Sequence, residues 1–278
     1  MSTHTPSAYK GFNLETGDRV LFFLKVGIVA LVLLTFGVGS TALFAGAAGA
    51  AMSYEWFRMT TAERDFDEPL IGVTLAAGFL PAFFTYAVGA GGGAAIALLG
   101  AGFLLLIGPR ENGLLVKAAL GIAIIGIACT CFVWMRAQPE HGLALTAWII
   151  FVVAATELGG SFYARNLSPD GALTPAEPNE LPTGLIASVV CGVVAGVIAG
   201  VFYREGNLFW VVLASLGLAI VVLMAGEVTR RIRQSVSTAP SGALFMGRGS
   251  VIENFDGLVW ASIAAGVVMM VAGPLYGW

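Results

Sequence analysis

The chain has 278 residues, 58% of them hydrophobic and 11% charged, with a formal net charge of -3 and a mean hydropathy of +0.87. A soluble domain usually carries about 25% charged residues, so this composition excludes one and points to a protein that crosses the membrane several times. No basic stripe is present, and nucleic acid is excluded as a partner.

Residues 1–19 are polar, and the apolar run after them begins too late and too directly for a cleaved signal, so it is expected to stay as the first span. At about 20 apolar residues per span, the spans fall near Val20–Val38, Ser40–Phe57, Leu70–Val88, Gly91–Gly108, Leu114–Met135, Leu143–Tyr163, Thr183–Tyr203, Asn207–Gly226 and Asp256–Tyr276. Helix is the only choice, because an open strand edge has no partner in lipid and the short alternating segments of a barrel are missing. The expected fold is all-α: a polytopic transmembrane bundle of about nine spans forming one domain over residues 1–278, with cytoplasmic loops at 166–182 and 227–255. Lys10, Arg19, Arg58, Arg64, Arg110, Lys117, Arg165, Arg230, Arg231, Arg233 and Arg248 then share one side, against Arg136 and Arg204 on the other. The positive-inside rule makes that side, and the N-terminus, cytoplasmic, and puts the C-terminus outside.

Much of the glycine lies within the spans, as in GAAGA at 46–50, GAGGGAAIALLGAG at 89–102 and GVVAGVIAG at 192–200. Small residues at such spacing let helices approach closely. No internal repeat is visible, which disfavours an inverted-repeat transporter. Cys129, Cys131 and Cys191 sit in apolar runs without metal-site spacing and read as small core residues. Glu55, Trp56 and Arg58 in SYEWFRM read as an interfacial belt with a charged anchor.

Three groups could carry chemistry. Glu157, near the cytoplasmic end of its span, costs about 2.5–3.5 kcal/mol to insert and must face the bundle interior or a wet cavity, serving either a ligand or a structural polar contact. Gly159 and Gly160 beside it open space for a ligand or a neighbouring helix, and Arg165 follows on roughly the same face. Arg230, Arg231 and Arg233 form a juxtamembrane basic cluster suited to orientation or to phosphate and anionic headgroups. Glu253 and Asp256, three apart, share a face if the last helix begins by Glu253, and two carboxylates suit Mg2+; otherwise Asp256 is an N-cap.

In order, four segments resemble the motifs of the phosphatidate cytidylyltransferase (CDP-diacylglycerol synthase) family. SYEWFRM resembles its E-W/Y-x-R-L element. TELGGSFYARN resembles D-T-G-A-Y-x-x-G-R, with Glu157 for the aspartate and Gly159 and Arg165 matched. EPNELPTG resembles S-P-x-K-T-x-E-G at Pro178 and Gly184, and GRGSVIENFDGL resembles G-H-G-G-x-x-D-R-x-D-S-L at Gly247, Gly249, Asp256 and Leu258, with Glu253 for the first aspartate. Glu180 and Thr183 replace a lysine and a glutamate, Arg248 replaces the histidine, Ser250 replaces a glycine, and the lysine-aspartate pair upstream of the glycines has no counterpart in VSTAPSG.

The resemblance implies a bundle with a cytoplasm-facing polar cavity, in a bacterial inner membrane, acting on CTP and phosphatidate or another anionic phospholipid with Mg2+. It implies Glu253, Asp256 and Glu157 as metal ligands, with Glu253 and Asp256 catalytic. Arg165, Arg230, Arg231, Arg233, Arg248, Gly247 and Gly249 would meet substrate. The departures lead to a second expectation, a chain of reduced or lost activity that serves as a lipid-binding or scaffolding subunit of a membrane complex; a homodimer is expected otherwise.

Overall fold

In a membrane a backbone without water must satisfy its own polar groups, and among the residues described by the computed structural model (27–61, 68–108, 114–166, 181–202, 208–236 and 251–276) every regular element is a helix. The order is α1 (residues 27–35), α2 (Val38–Thr61), α3 (Glu68–Val88), α4 (Ala90–Ile107), α5 (Leu114–Arg136), α6 (Gly142–Asn166), α7 (Leu181–Phe202), α8 (Leu208–Val236) and α9 (Val251–Tyr276). Six of them, α3 to α8, contain a stretch long and apolar enough to cross a membrane. The architecture is that of a polytopic helical membrane protein.

Two breaks depend on glycine. Gly37 between α1 and α2 has φ 118°, and Gly89, the single residue between α3 and α4, has φ 98°. Both lie in the region that side chains rarely enter, so the sequence boundary at Gly89 has a conformational cause. Arg136 Nε and Nη2 donate to the Leu34 carbonyl at 3.1 and 2.8 Å, tying the end of α1 to the end of α5.

Where helices approach most closely the contacts are made by small residues, while many large side chains face outward. On α7, Ile186, Val190, Val194 and Ile198 are exposed, while Ser188, Gly192 and Gly196 are buried against α6 and α8. Between α2 and α3 the approach is closer still, since a Cβ built at Gly78 would collide with the Gly49 carbonyl oxygen and stand 2.6 Å from Ser53 Oγ. In lipid, packing of this kind replaces the hydrophobic effect as the force between helices. Glycines 159 and 160 serve it too: their Cβ atoms would run into Cys191 and Ser188 of α7, so the neighbouring helix fills the space beside Glu157.

The helix α5 is central, with 72% of its span buried against 22% for α4 and α7. It packs on α2, α3 and α4 on one side and on α6 and α9 on the other. Helices α6, α7 and α8 form a second group, and α9 lies between the two, touching α5 and α2 as well as α8 and α6. Helices consecutive in the chain run antiparallel, as the approaches of Gly46 to Phe79 and Gly49 to Gly78, or of Gly192 to Thr156 and Gly196 to Val152, show, so the end of α2, the end of α6 and the start of α9 meet at one end of the bundle.

Three boundaries and assignments differ from the sequence reading. Residues 227–236, expected in a loop, continue α8, where an Arg231 Nε to Glu227 Oε1 bond of 2.6 Å spans one turn. The last helix begins at Val251 rather than Asp256, because Val251 and Ile252 are themselves buried in the core. Of the three cysteines, Cys129 is buried as expected, Cys131 is half-buried and Cys191 is exposed on α7.

Gly78→Ala is expected to lower the unfolding temperature in detergent, since overpacking costs about 1–3 kcal/mol. Gly72→Ala, where no atom lies within 4 Å of the new Cβ, should leave it unchanged or raise it slightly through helix propensity. Thermal unfolding followed by circular dichroism measures both.

Candidate functional site

Most buried hydroxyls in this bundle satisfy themselves. Thr60, Thr74, Thr85, Thr146, Thr156 and Ser215 each donate to the carbonyl four residues earlier in their own helix, at 2.7–2.9 Å. Two carboxylates do not fit that pattern, and both are turned toward the start of α9.

The first is Glu157 on α6. A Cβ built at Gly257 of α9 would collide with Glu157 Oε1 and come within 3.1 Å of Val222 on α8, so the carboxylate lies directly against the α9 backbone. That oxygen is sealed from solvent and has no hydrogen-bond partner among the described residues. Asp256 is the preceding residue on α9, and its Oδ1 accepts the Gly257 N–H at 2.7 Å. A buried acceptor without a donor is expensive, and two carboxylates together make it more so.

The second is Glu55 on α2, which is 3% exposed. Its Oε2 accepts the backbone N–H of Ile252 at 3.1 Å, while Oε1 has no partner among the described residues. Ile252 is in the first turn of α9, where N–H groups have no partner within the helix, and a carboxylate there also meets the positive end of the helix dipole. The next residue, Trp56, is 8% exposed and donates its Nε1–H to the Lys117 carbonyl of α5 at 3.1 Å. The reading of Glu55 and Trp56 as an interfacial belt is therefore corrected: both face inward and fasten α2 to two other helices. Only Arg58 of that segment is exposed, with its guanidinium carbon 5.8 Å from the centre of the Tyr54 ring.

Of the site residues read from the sequence, Glu157 and Asp256 are brought together. Glu253 lies on α9 less than one turn before Asp256, because the helix starts early enough to include it. Arg165 is on the last turn of α6, and Arg230, Arg231 and Arg233 are on the extension of α8. Arg231 is exposed and paired with Glu227, an arrangement that holds a side chain only weakly. Gly247, Arg248 and Gly249, with Glu180, lie outside the described residues. Among the described residues no third His, Cys, Asp or Glu joins Glu157 and Asp256 in a metal-holding group. Sequence reasoning missed the inward role of Glu55; its signal was an acid inside a helix whose neighbouring turns are almost all small or apolar.

Comparison with known proteins covers nearly the whole chain. The model of the Cytidylyltransferase family matches residues 17–272, a range that includes all four motif-like segments. The phosphatidate cytidylyltransferases of Brucella suis and Brucella melitensis are each 23% identical to this chain over 266 residues, which is 95% of it and 94% of theirs. That of Brucella abortus is similar to the same degree.

Gly257→Ala should gain about 1 kcal/mol in helix propensity, yet it is expected to lower the unfolding temperature because its methyl group displaces the Glu157 carboxylate. Glu157→Ala in the same chain should restore much of the loss, a coupling that a double-mutant thermal cycle measures.

Proposed function

The chain belongs to the cytidylyltransferase family, and from that premise we propose that it transfers the cytidylyl group of CTP to phosphatidate, giving CDP-diacylglycerol and pyrophosphate. A phosphatidate oxygen forms the new bond at the α-phosphorus of CTP, and the bond to pyrophosphate breaks. Two supports for the substrate are the coverage of the match and the activity for which the relatives are named. The observation that carries the site is the buried, unpartnered Oε1 of Glu157, which lies against Gly257, the residue next to Asp256.

That pair fits a divalent cation. Mg2+ commonly takes one or two carboxylates and fills its remaining positions with water and phosphate oxygens, so a pair without a third protein ligand suits it when the substrate is a triphosphate. Glu157 and Asp256 would hold the ion, with Glu253 on the adjoining turn. When bound, it would neutralise charge on the CTP phosphates, the main need of a transfer that depends on positioning and electrostatics.

The protein's own cations have a separate task. Arg165 and the cluster at Arg230, Arg231 and Arg233 stand at helix ends where lipid phosphate and pyrophosphate oxygens would approach, and guanidinium groups bind such oxygens in pairs. Arg248, Gly247 and Gly249 complete the proposed substrate contacts. The working site would lie on the cytoplasmic side of a bacterial inner membrane, with the N-terminus cytoplasmic and the C-terminus outside, following the distribution of Lys and Arg. A homodimer is the proposed assembly.

The detergent-purified protein is expected to bind CTP in calorimetry only when Mg2+ is present, and Asp256→Ala to abolish that binding. With phosphatidate added, wild-type protein should release pyrophosphate and the variant should lose at least about a hundredfold of that rate, as expected when an electrostatic contact to the transferring group is removed. CTP binding absent under all conditions would sink this reading and favour the non-catalytic lipid-binding subunit of a membrane complex.

A further inference from the structure

The helix α9 begins inside the bundle. Val251 and Ile252 are 4% and 6% exposed and belong to the same core cluster as Trp56, Phe57 and Leu115. A helix that starts in such a place has N–H groups that neither its own carbonyls nor solvent can satisfy, and each one left bare is costly. For Ile252 the acceptor arrives from α2, as Glu55 Oε2 at 3.1 Å. Glu55 is the sole charged side chain in the fully buried class among the described residues, so its burial is itself unfavourable unless it is fixed by such a bond.

The bond reaches further than the residue it touches. Ile252 and Asp256 are four residues apart on one face of α9, about 6 Å along its axis. Gly257 comes immediately after and lies against Glu157. The first turn of α9 is thus held by a carboxylate from α2, and the following turn lies against a carboxylate from α6, with Asp256 between the two contacts.

We propose that Glu55 is a positioning residue for the acidic pair: by holding the first turn of α9 it sets the spacing of Asp256 from Glu157. It touches neither substrate nor the transferring phosphorus and acts through the helix. The catalytic part of this inference rests on the site proposed above, whereas the seating of α9 does not.

Hydrogen exchange followed by mass spectrometry over residues 251–258, together with the Mg2+ dependence of CTP binding, tests it in four full-length proteins: wild type, Glu55→Gln, Glu55→Ala and Gly93→Ala. Glutamine keeps a carbonyl acceptor for the Ile252 N–H and alanine does not; Gly93→Ala is a destabilised control on α4, where the new methyl would run into Thr85 and Thr130, away from Glu55. Glu55→Ala is expected to exchange faster over 251–258 and to need about tenfold or more Mg2+ for half-maximal CTP binding, the usual loss when a metal site loses an orienting partner. Glu55→Gln should stay close to wild type on both readouts, and so should Gly93→Ala despite a lower unfolding temperature. Wild-type exchange and Mg2+ dependence in Glu55→Ala would overturn the proposal, as would the same changes in Gly93→Ala, which would reduce them to general loss of stability. If wild type binds no CTP but Glu55→Ala alone opens the start of α9, the nucleotide reading fails while the seating of α9 by Glu55 is upheld.

Discussion

A helix that starts within a membrane bundle must find partners for its first N–H groups inside the protein, and for Ile252 of α9 that partner is Glu55. Much else depends on it. The α9 helix touches both the α2 to α5 group and the α6 to α8 group, so the depth at which it starts also sets which residues of the two groups can face one another across it. With the start at Val251, Gly257 comes level with Glu157 and leaves room for its carboxylate. A start one turn later would leave Glu253 off the helix and bring a different residue to that level.

The rest of the bundle is organised to make such closeness possible. At its closest helix contacts it places Gly49 against Gly78, Gly192 against Thr156 and Gly196 against Ser215, and it turns many of its leucines and valines to the outside. The surrounding lipid is as apolar as those side chains, so turning them outward costs nothing, and the gain comes from backbones brought into contact. Threonine suits the same interior because its hydroxyl can donate to its own helix. The result is a matrix in which most buried threonines are satisfied within their own helix, and in which the buried carboxylates of Glu55 and Glu157 stand out by facing another one.

The sequence made the helices legible because hydrophobic length and the membrane's demand for satisfied backbones leave little freedom; each expected span corresponds in order to a helix among the described residues, six of which are long and apolar enough to cross. Glu157 was legible for a related reason, as a carboxylate deep in an apolar run. The extension of α8 was not, since Arg230, Arg231 and Arg233 end the apolar stretch but not the helix, and an i,i+4 pair such as Glu227 with Arg231 continues it without lipid. Glu55 was misread because an acid flanked by Tyr54 and Trp56 near a span end has the composition of a headgroup anchor, and only the position of α9, about two hundred residues away in the chain, turns it inward. Interactions between distant segments leave no periodicity to read. The motif resemblance picked out both segments that this bond joins, SYEWFRM and GRGSVIENFDGL, without joining them.

The single-residue junction at Gly89 has a consequence for how this chain can vary. Each residue added to a helix rotates the next part of the chain by about 100°, and with α3 ending at Val88 and α4 starting at Ala90 there is no connecting segment to absorb the turn. One inserted or deleted residue there would swing the Leu98, Leu99 and Leu106 face of α4 from the outside toward α5, and carry Gly93 and Ala97 out to lipid. Length changes between these two helices are therefore forbidden in a way that substitutions are not, and the hydrophobic faces of α3 and α4 are inherited as a unit.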